Sequence, residues 1–454
     1  MATTNAFKPF SVANIRLFVA FRIFFNARYY YPIFTVLFLD FGLSIADFAI
    51  LNAVWAATIV LLEVPSGALA DTIGRKNLVL ASAIIMVIEV GILCLAPIGN
   101  KEVVFYLFLL NRILSGTAEA AASGADEALA YDSLKEIGQE ESWGSVLESQ
   151  MKLQSIAFVI AMSLGAFLYD ASSLNTFLNF IGISWEVPSE TALKLPLFLT
   201  LAHSFVALGT AWAMKDPKLT NTELETEIET TQTLGFAFKK TISAGKWILK
   251  TPAALTIILA GMLIDHVGRM VVTLNSQYFR EIQLPEASFG LIGSGLSLMG
   301  IIIPTIAKKL TVKFSQLFNF ILVASLAFTA FSLMTLFIPF WGALPIALLY
   351  ICFFLTGFFV SHYLNKVTSS EMRATVLSFR GLSYNLAYGT IGVLYARLIG
   401  VLRANAPESI ALEVAKESYL FREATNWFPG YFVILFSATL GIAIWLNRKR
   451  STSL

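Results

Sequence analysis

Arg112, Gly116, Glu119, Ser123 and Asp126 recur at steps of three and four residues, a spacing that puts them on one face of a helix. An arginine and carboxylates within an apolar stretch are costly unless they pair or line water, so they are candidates for carrying a proton or holding a charged solute. The competing reading is an ion pair that only fixes packing, Arg112 with Glu119 or with Glu89. Asp126, beside Glu127 and Asp132 at the end of the same stretch, is expected to serve a basic residue at the membrane surface. Nearer the start of the chain, Arg22, Asn26, Tyr29 and Tyr30 share a stripe and Arg28 lies on another. Tyrosines 29 to 31 could line a cavity or be core residues with satisfied hydroxyls, and core packing is the better reading for at least two of them.

A second group lies past residue 260. Asp265 and Arg269 are one turn apart and flank His266, close enough to neutralise each other. The pair is either structural or a switch in which protonating Asp265 frees Arg269. Arg380, Ser383 and Tyr384 add a basic side chain that needs a partner, His362 and Asn365 are weaker candidates, and Glu148 with Lys152 reads as a local ion pair. No Gly-rich Lys-Ser/Thr phosphate loop, HExxH, Cys-x-x-Cys or nucleophile elbow accompanies these residues. ATP-driven work, intramembrane hydrolysis and metal or cofactor chemistry are therefore not expected. Cys94 and Cys352 sit in apolar runs as small core residues.

What positions these charges is an almost wholly apolar chain. Of its 454 residues, 57% are hydrophobic and 14% charged, against about 25% charged in soluble proteins. At about 20 residues per span, that apolar content fills on the order of a dozen helices. Whole segments run apolar instead of alternating, which excludes an outer-membrane barrel. Spans are expected at Asn14 to Asp40, Ile45 to Ala70, Leu78 to Ala96, Val103 to Ala125, Ser145 to Tyr169 and Pro196 to Met214. A second set follows at Pro252 to Phe279, Ser288 to Ile306, Ser315 to Ile338, Ala343 to Lys366, Ala374 to Gly400 and Phe428 to Leu446.

This divides the chain into an N-terminal six-helix bundle (1–214), a linker (215–251) and a C-terminal six-helix bundle (252–454). In the linker, Glu223, Glu225, Glu227 and Glu229 precede Lys239, Lys240, Lys246 and Lys250, and these lysines interleave with Phe236, Phe238, Ile242 and Trp247. That mix suits an amphipathic helix on an anionic membrane face. Lysine and arginine placement puts both termini and the linker in the cytoplasm of a multi-pass inner-membrane protein. The long external loops are then Asp170 to Leu195 and Val401 to Trp427. The segment from Met1 to Phe10 has no basic cluster followed by a short apolar core, so the first run is expected to remain a span. A net charge of +2 with scattered basic residues gives no nucleic-acid surface.

The sharpest local motif follows the second span: Gly67, Asp71, Gly74, Arg75 and Lys76, with Thr72 where a basic residue would complete it. With the six-plus-six layout, this loop resembles the signature of the major facilitator superfamily: Gly, three residues, Asp, a basic residue, any residue, Gly, Arg, a basic residue. The resemblance implies an all-α integral membrane fold of twelve helices in two six-helix bundles that rock about a central cavity. It implies a cytoplasmic gate of Asp71, Arg75 and Lys76 with Gly67 and Gly74, neighboured by Glu371 and Arg373 and served by Asp126. It further implies that Arg22 and Asn26 face Glu119 across the cavity, for which Tyr30 is a further lining candidate, and that Arg112 with Gly116 matches a fourth-span pattern tied to proton coupling. The corresponding second-half loop, Gly300 to Lys309, keeps Lys308 and Lys309 but has no Asp.

The expectation is a monomeric secondary transporter of a small solute, not an enzyme, working by alternating access in the lipid bilayer and coupled to protons through Glu119, Asp265 and Arg112. Arg22, Asn26, Arg269, Arg380 and Tyr384 would contact the solute. A proton-independent facilitator and a drug or metabolite exporter are alternatives on the same fold. From another class, a transporter-like receptor or scaffold would signal through the linker.

Overall fold

The computed structural model describes residues 9–217, 242–243, 245–368, 370–407, 410 and 412–451, and these are helical with no strand. The acidic part of the linker lies outside the described residues. Among the described residues, eleven helical stretches are long and apolar enough to cross a bilayer, where helices satisfy their own backbone groups.

The first expected span, Asn14 to Asp40, is not one helix. It is split into α1 (Ala13–Asn26), a 3-10 turn at Tyr31–Ile33 and α2 (Phe34–Asp40). Pro32 has no N–H to donate and disfavours helical geometry at the residue before it, so the helix stops short of Tyr31. Neighbouring helices compensate the exposed backbone: the Tyr29 N–H donates to Thr200 Oγ1 at 3.1 Å. At Gly165 an added Cβ would lie 1.8 Å from the Tyr29 carbonyl oxygen, so only glycine lets the break rest there.

The rest of the first half comprises α3 (Ile45–Ile73), α4 (Arg75–Leu95), α5 (Lys101–Ala122), α6 (Ala125–Lys135), α7 (Trp143–Tyr169), α8 (Ala171–Phe180) and α9 (Ser189–Ala213). The second half holds α10 (Pro252–Thr273), α11 (Asn275–Glu281), α12 (Glu286–Lys313), α13 (Gln316–Met334), α14 (Ala343–Val367), α15 (Ser370–Ala404), α16 (Glu413–Thr425) and α17 (Trp427–Ser451). Both expected external loops contain a helix, α8 and α16. The first is capped by Asp170, whose carboxylate accepts from the Ser172 and Ser173 N–H groups at 3.1 and 3.4 Å.

The chain packs as two compact units, residues 1–32 with 58–237 and residues 33–57 with 238–454. In the first, α4 packs on α5 and α9, and α1 on α6, α7 and α9. In the second, α10 packs on α14, α15 and α17, with α12 and α13 also on α14. Polar contacts tie residues 33–57 into that unit. The Thr35 N–H donates to Ser276 Oγ at 2.9 Å, and Arg280 grips both oxygens of Asp40 at 2.8 Å while also meeting Glu286 at 2.5 Å. Nearby, Arg422 and Ser418 both donate to Glu281 at 2.7 Å.

Candidate functional site

In the first unit, the break after α1 delivers Arg28 to a buried polar chain. Arg28 ion-pairs with Glu89 of α4 and donates to Tyr30 Oη at 2.9 Å. Asn111 of α5 donates to the Glu89 carboxylate and to its backbone oxygen. Arg112 in turn donates through Nε and Nη2 to Asn111 Oδ1 at 3.0 and 2.8 Å. Glu89 and Asn111 are 0% exposed, Arg28 3% and Arg112 4%. Glu89 thus pairs directly with Arg28 and is linked to Arg112 only by way of Asn111, and the outcome differs from both expected pairings. Arg28 takes the carboxylate that Arg112 was expected to take, and Glu119 binds neither arginine.

Glu119 is solvent-exposed on α5 and makes no hydrogen bond or ion pair among the described residues. It lies near Tyr31, which also feels the charges of Arg28 and Arg112. Arg22 does not engage it either. Arg22 ion-pairs with Asp126 at 2.5 Å and with Glu127 at 2.7 Å, and Asn26 donates to the Arg22 carbonyl at 2.8 Å.

The expected single stripe from Arg112 to Asp126 is interrupted because the chain turns at Gly124, with φ +77°. Asp126 therefore belongs to a new helix, α6, which packs on α1 and brings the carboxylate to Arg22. The assignment of Asp126 to the Arg75 gate is corrected accordingly: the partner of Arg75 is Asp132, six residues further along α6. At the same surface, Gly74 takes φ +89° to start α4 at Arg75, and the Lys76 N–H donates to Asp216 at 3.2 Å. The side chains of Asp71, Glu371 and Arg373, with those of Glu148 and Asn365, lie outside the described residues, as does the surrounding of Gly67.

Tyr29 and Tyr30 are buried, and their hydroxyls are met by His203 at 3.0 Å and by Arg28. Core packing with satisfied hydroxyls describes both.

In the second unit, Arg269 donates to Asp265 at 2.6 Å and to Asn385 Oδ1 at 2.8 Å, and its guanidinium lies 5.4 Å from the centre of the Tyr388 ring. His266 is tied to the Met262 carbonyl and to Tyr431 Oη, and His362 stacks on Phe358. Arg380 is half-buried on α15 and has no hydrogen bond or ion pair among the described residues. One turn on, the Tyr384 hydroxyl is buried without a hydrogen-bond partner. It fits against α10 because residue 261 is glycine; a Cβ there would lie 1.9 Å from the hydroxyl oxygen.

Sequence reasoning reached Arg380, Tyr384 and the Asp265–Arg269 pair. It missed Asn111 and Asn385, the amides that connect the arginines to their surroundings. Each is a polar residue adjoining a charged or aromatic one on an apolar helix, and that position was the available signal.

A family model described as Major Facilitator Superfamily matches residues 16–393. No curated protein sequence matches the chain. Among solved structures, the nucleoside transporter NupG is similar at TM-score 0.69 and 13% identity, over 96% of this chain and 99% of that one. A bacterial homologue of the human lysosomal transporter Spinster, inward-facing and unoccupied, gives 0.68 and 15% over 97% of each chain. A D-xylose–proton symporter gives 0.59 and 12% over 92% and 97%. At these identities the likeness establishes the fold.

Proposed function

The chain belongs to the major facilitator superfamily of multi-pass membrane transporters, and from that premise we propose that it moves a small solute across the inner membrane by alternating access, driven by protons. In this reading, the bundles 1–214 and 252–454 are the moving bodies, the linker and both termini are cytoplasmic, and the working form is a monomer. The supporting observation is the contrast among charges in the spans. Arg28, Arg22 and Arg269 each have a carboxylate partner, whereas Glu119 and Arg380 have no partner among the described residues.

A carboxylate left without a cation can exchange its proton, and we assign Glu119 as the coupling group. Arg112, held by Asn111, lies about two turns before it on the same helix. Arg380 and the orphan Tyr384 hydroxyl offer a cation and a neutral donor one turn apart, the pair needed to hold a carboxylate or phosphate on a small solute. Asp265, already neutralised by Arg269, serves in this reading to orient that guanidinium.

The test is counterflow in proteoliposomes with and without a pH gradient. Glu119→Gln should abolish the response to the gradient while sparing exchange at equal pH, and Arg380→Gln should raise KM for an anionic solute. Flux indifferent to the gradient in the wild type, with Glu119→Gln unchanged, would establish proton-independent facilitation.

A further inference from the structure

On the second unit, α10, α13 and α17 diverge around an apolar cavity of ≈ 310 Å³. Its walls include Thr256 and Ala260 of α10, Phe320 and Ala324 of α13, and Phe436 and Ala443 of α17. On each helix the lining residues recur at three- and four-residue steps, so the cavity is a groove running along the helix axes. Its longest wall runs from Ala253 to Ile264, about 16 Å at 1.5 Å per residue. That matches half of the ~30 Å hydrocarbon core, the depth of one leaflet.

The mouth of the groove is chemically one-sided. Lys250 lies three residues before Ala253, Lys313 lies three before Gln316, and Ala253 and Gln316 both line the cavity. Both lysines are exposed and neither makes an ion pair or hydrogen bond among the described residues. No Asp or Glu occurs in residues 240–264, 308–370 or 424–454, which cover the walls of the groove and the helix ends around its mouth. Lys313 Nζ lies 5.3 Å from the centre of the Phe314 ring, and neither ammonium has a carboxylate partner among the described residues; a neutral apolar slot of leaflet depth with such groups beside its end fits a hydrocarbon tail with a negative head.

We propose that this groove seats an acyl chain of an anionic phospholipid from the leaflet on the linker side, with Lys250 and Lys313 meeting the headgroup phosphate. The lipid is a bound partner of the second unit, separate from the residues assigned to solute and proton.

Native mass spectrometry of the delipidated full chain, titrated with phosphatidylglycerol and phosphatidylcholine of identical acyl chains, tests this. The expected result is a one-to-one adduct favouring phosphatidylglycerol by roughly 30-fold, the preference two surface lysines supply. Lys250→Gln with Lys313→Gln should bring the two lipids to near parity without loss of the phosphatidylcholine adduct. Ala260→Phe with Ala443→Phe should remove the adduct for both lipids. Equal binding of the two lipids by the wild type, or an unchanged preference after both lysines are neutralised, overturns the proposal. The lysine variants alter exposed side chains alone, so the test holds whether or not the groove-filled variant folds.

Discussion

Replacing Glu89 by Gln should be among the most damaging single changes in the first unit, and the geometry says by how much relative to its partner. Glu89 is fully buried and Arg28 is 3% exposed, so solvent screens neither charge. Breaking such a pair from one side costs about 3–5 kcal/mol, mainly because the surviving charge is left uncompensated. Glu89→Gln leaves Arg28 without its buried carboxylate and removes the anion that Asn111 links to Arg112. Arg28→Met strands one anion that still accepts from Asn111. The Gln variant should therefore be the worse of the two, at the upper end of that range, and Arg28→Met at the lower. The double variant removes both members of the direct pair and should be less destabilised than Glu89→Gln alone, so the coupling energy should exceed about 3 kcal/mol. Reversible unfolding in mixed micelles titrated with dodecyl sulfate reads all three. Additivity of the single effects to within about 0.5 kcal/mol refutes the pairing and the ranking drawn from it.

Other substitutions probe different contacts. Gly165→Ala places a Cβ against the Tyr29 carbonyl and should cost about 1–3 kcal/mol by overpacking, while Gly91→Ala, with open space around it, should be close to neutral in the same unfolding assay. Gly261→Ala collides with the Tyr384 hydroxyl and with Val360; combining it with Tyr384→Phe should recover part of the lost stability, and a double variant no better than the single would remove that hydroxyl from the contact. Asp132→Asn should release Arg75, whereas Asp126→Asn with Glu127→Gln releases Arg22, so accessibility labelling of cysteines placed beside each arginine should respond to one set of substitutions and not the other.

Much of this was legible in the sequence because a bilayer simplifies the problem. Apolar length sets the spans, basic residues set the orientation expected of them, and the turn motif from Gly67 to Lys76 points to the family. The departures share a physical origin in local breaks. The first span reads as one apolar run because tyrosines and isoleucines mask the break, although Pro32 marks where it must come. The stripe from Arg112 to Asp126 holds only while the helix continues, and Gly124 ends it. Periodicity assigns faces correctly within a helix and fails across a turn, so Arg22 finds Asp126 instead of Glu119. Helices α8 and α16 were hidden because, at 10 and 13 residues, they are too short to give a span-length hydropathy signal.

Depth along the spans does not by itself distinguish Arg22, Arg28, Arg112, Glu119, Asp265, Arg269 and Arg380. Partners separate them. A guanidinium whose carboxylate is supplied by the fold, as Glu89 is for Arg28, can change neither its charge nor its contact without a cost comparable to much of the stability of a domain. It therefore fixes one arrangement of helices and is poorly suited to cycling. A charge without a permanent partner is unstable at membrane depth until a ligand or proton arrives, so binding lowers its energy directly. By that criterion, the buried network around Glu89 is the frame of the first unit. Under the proposed function, Glu119 and Arg380 are the groups whose state follows the transport cycle, and mutating them should alter coupling and KM before it alters unfolding.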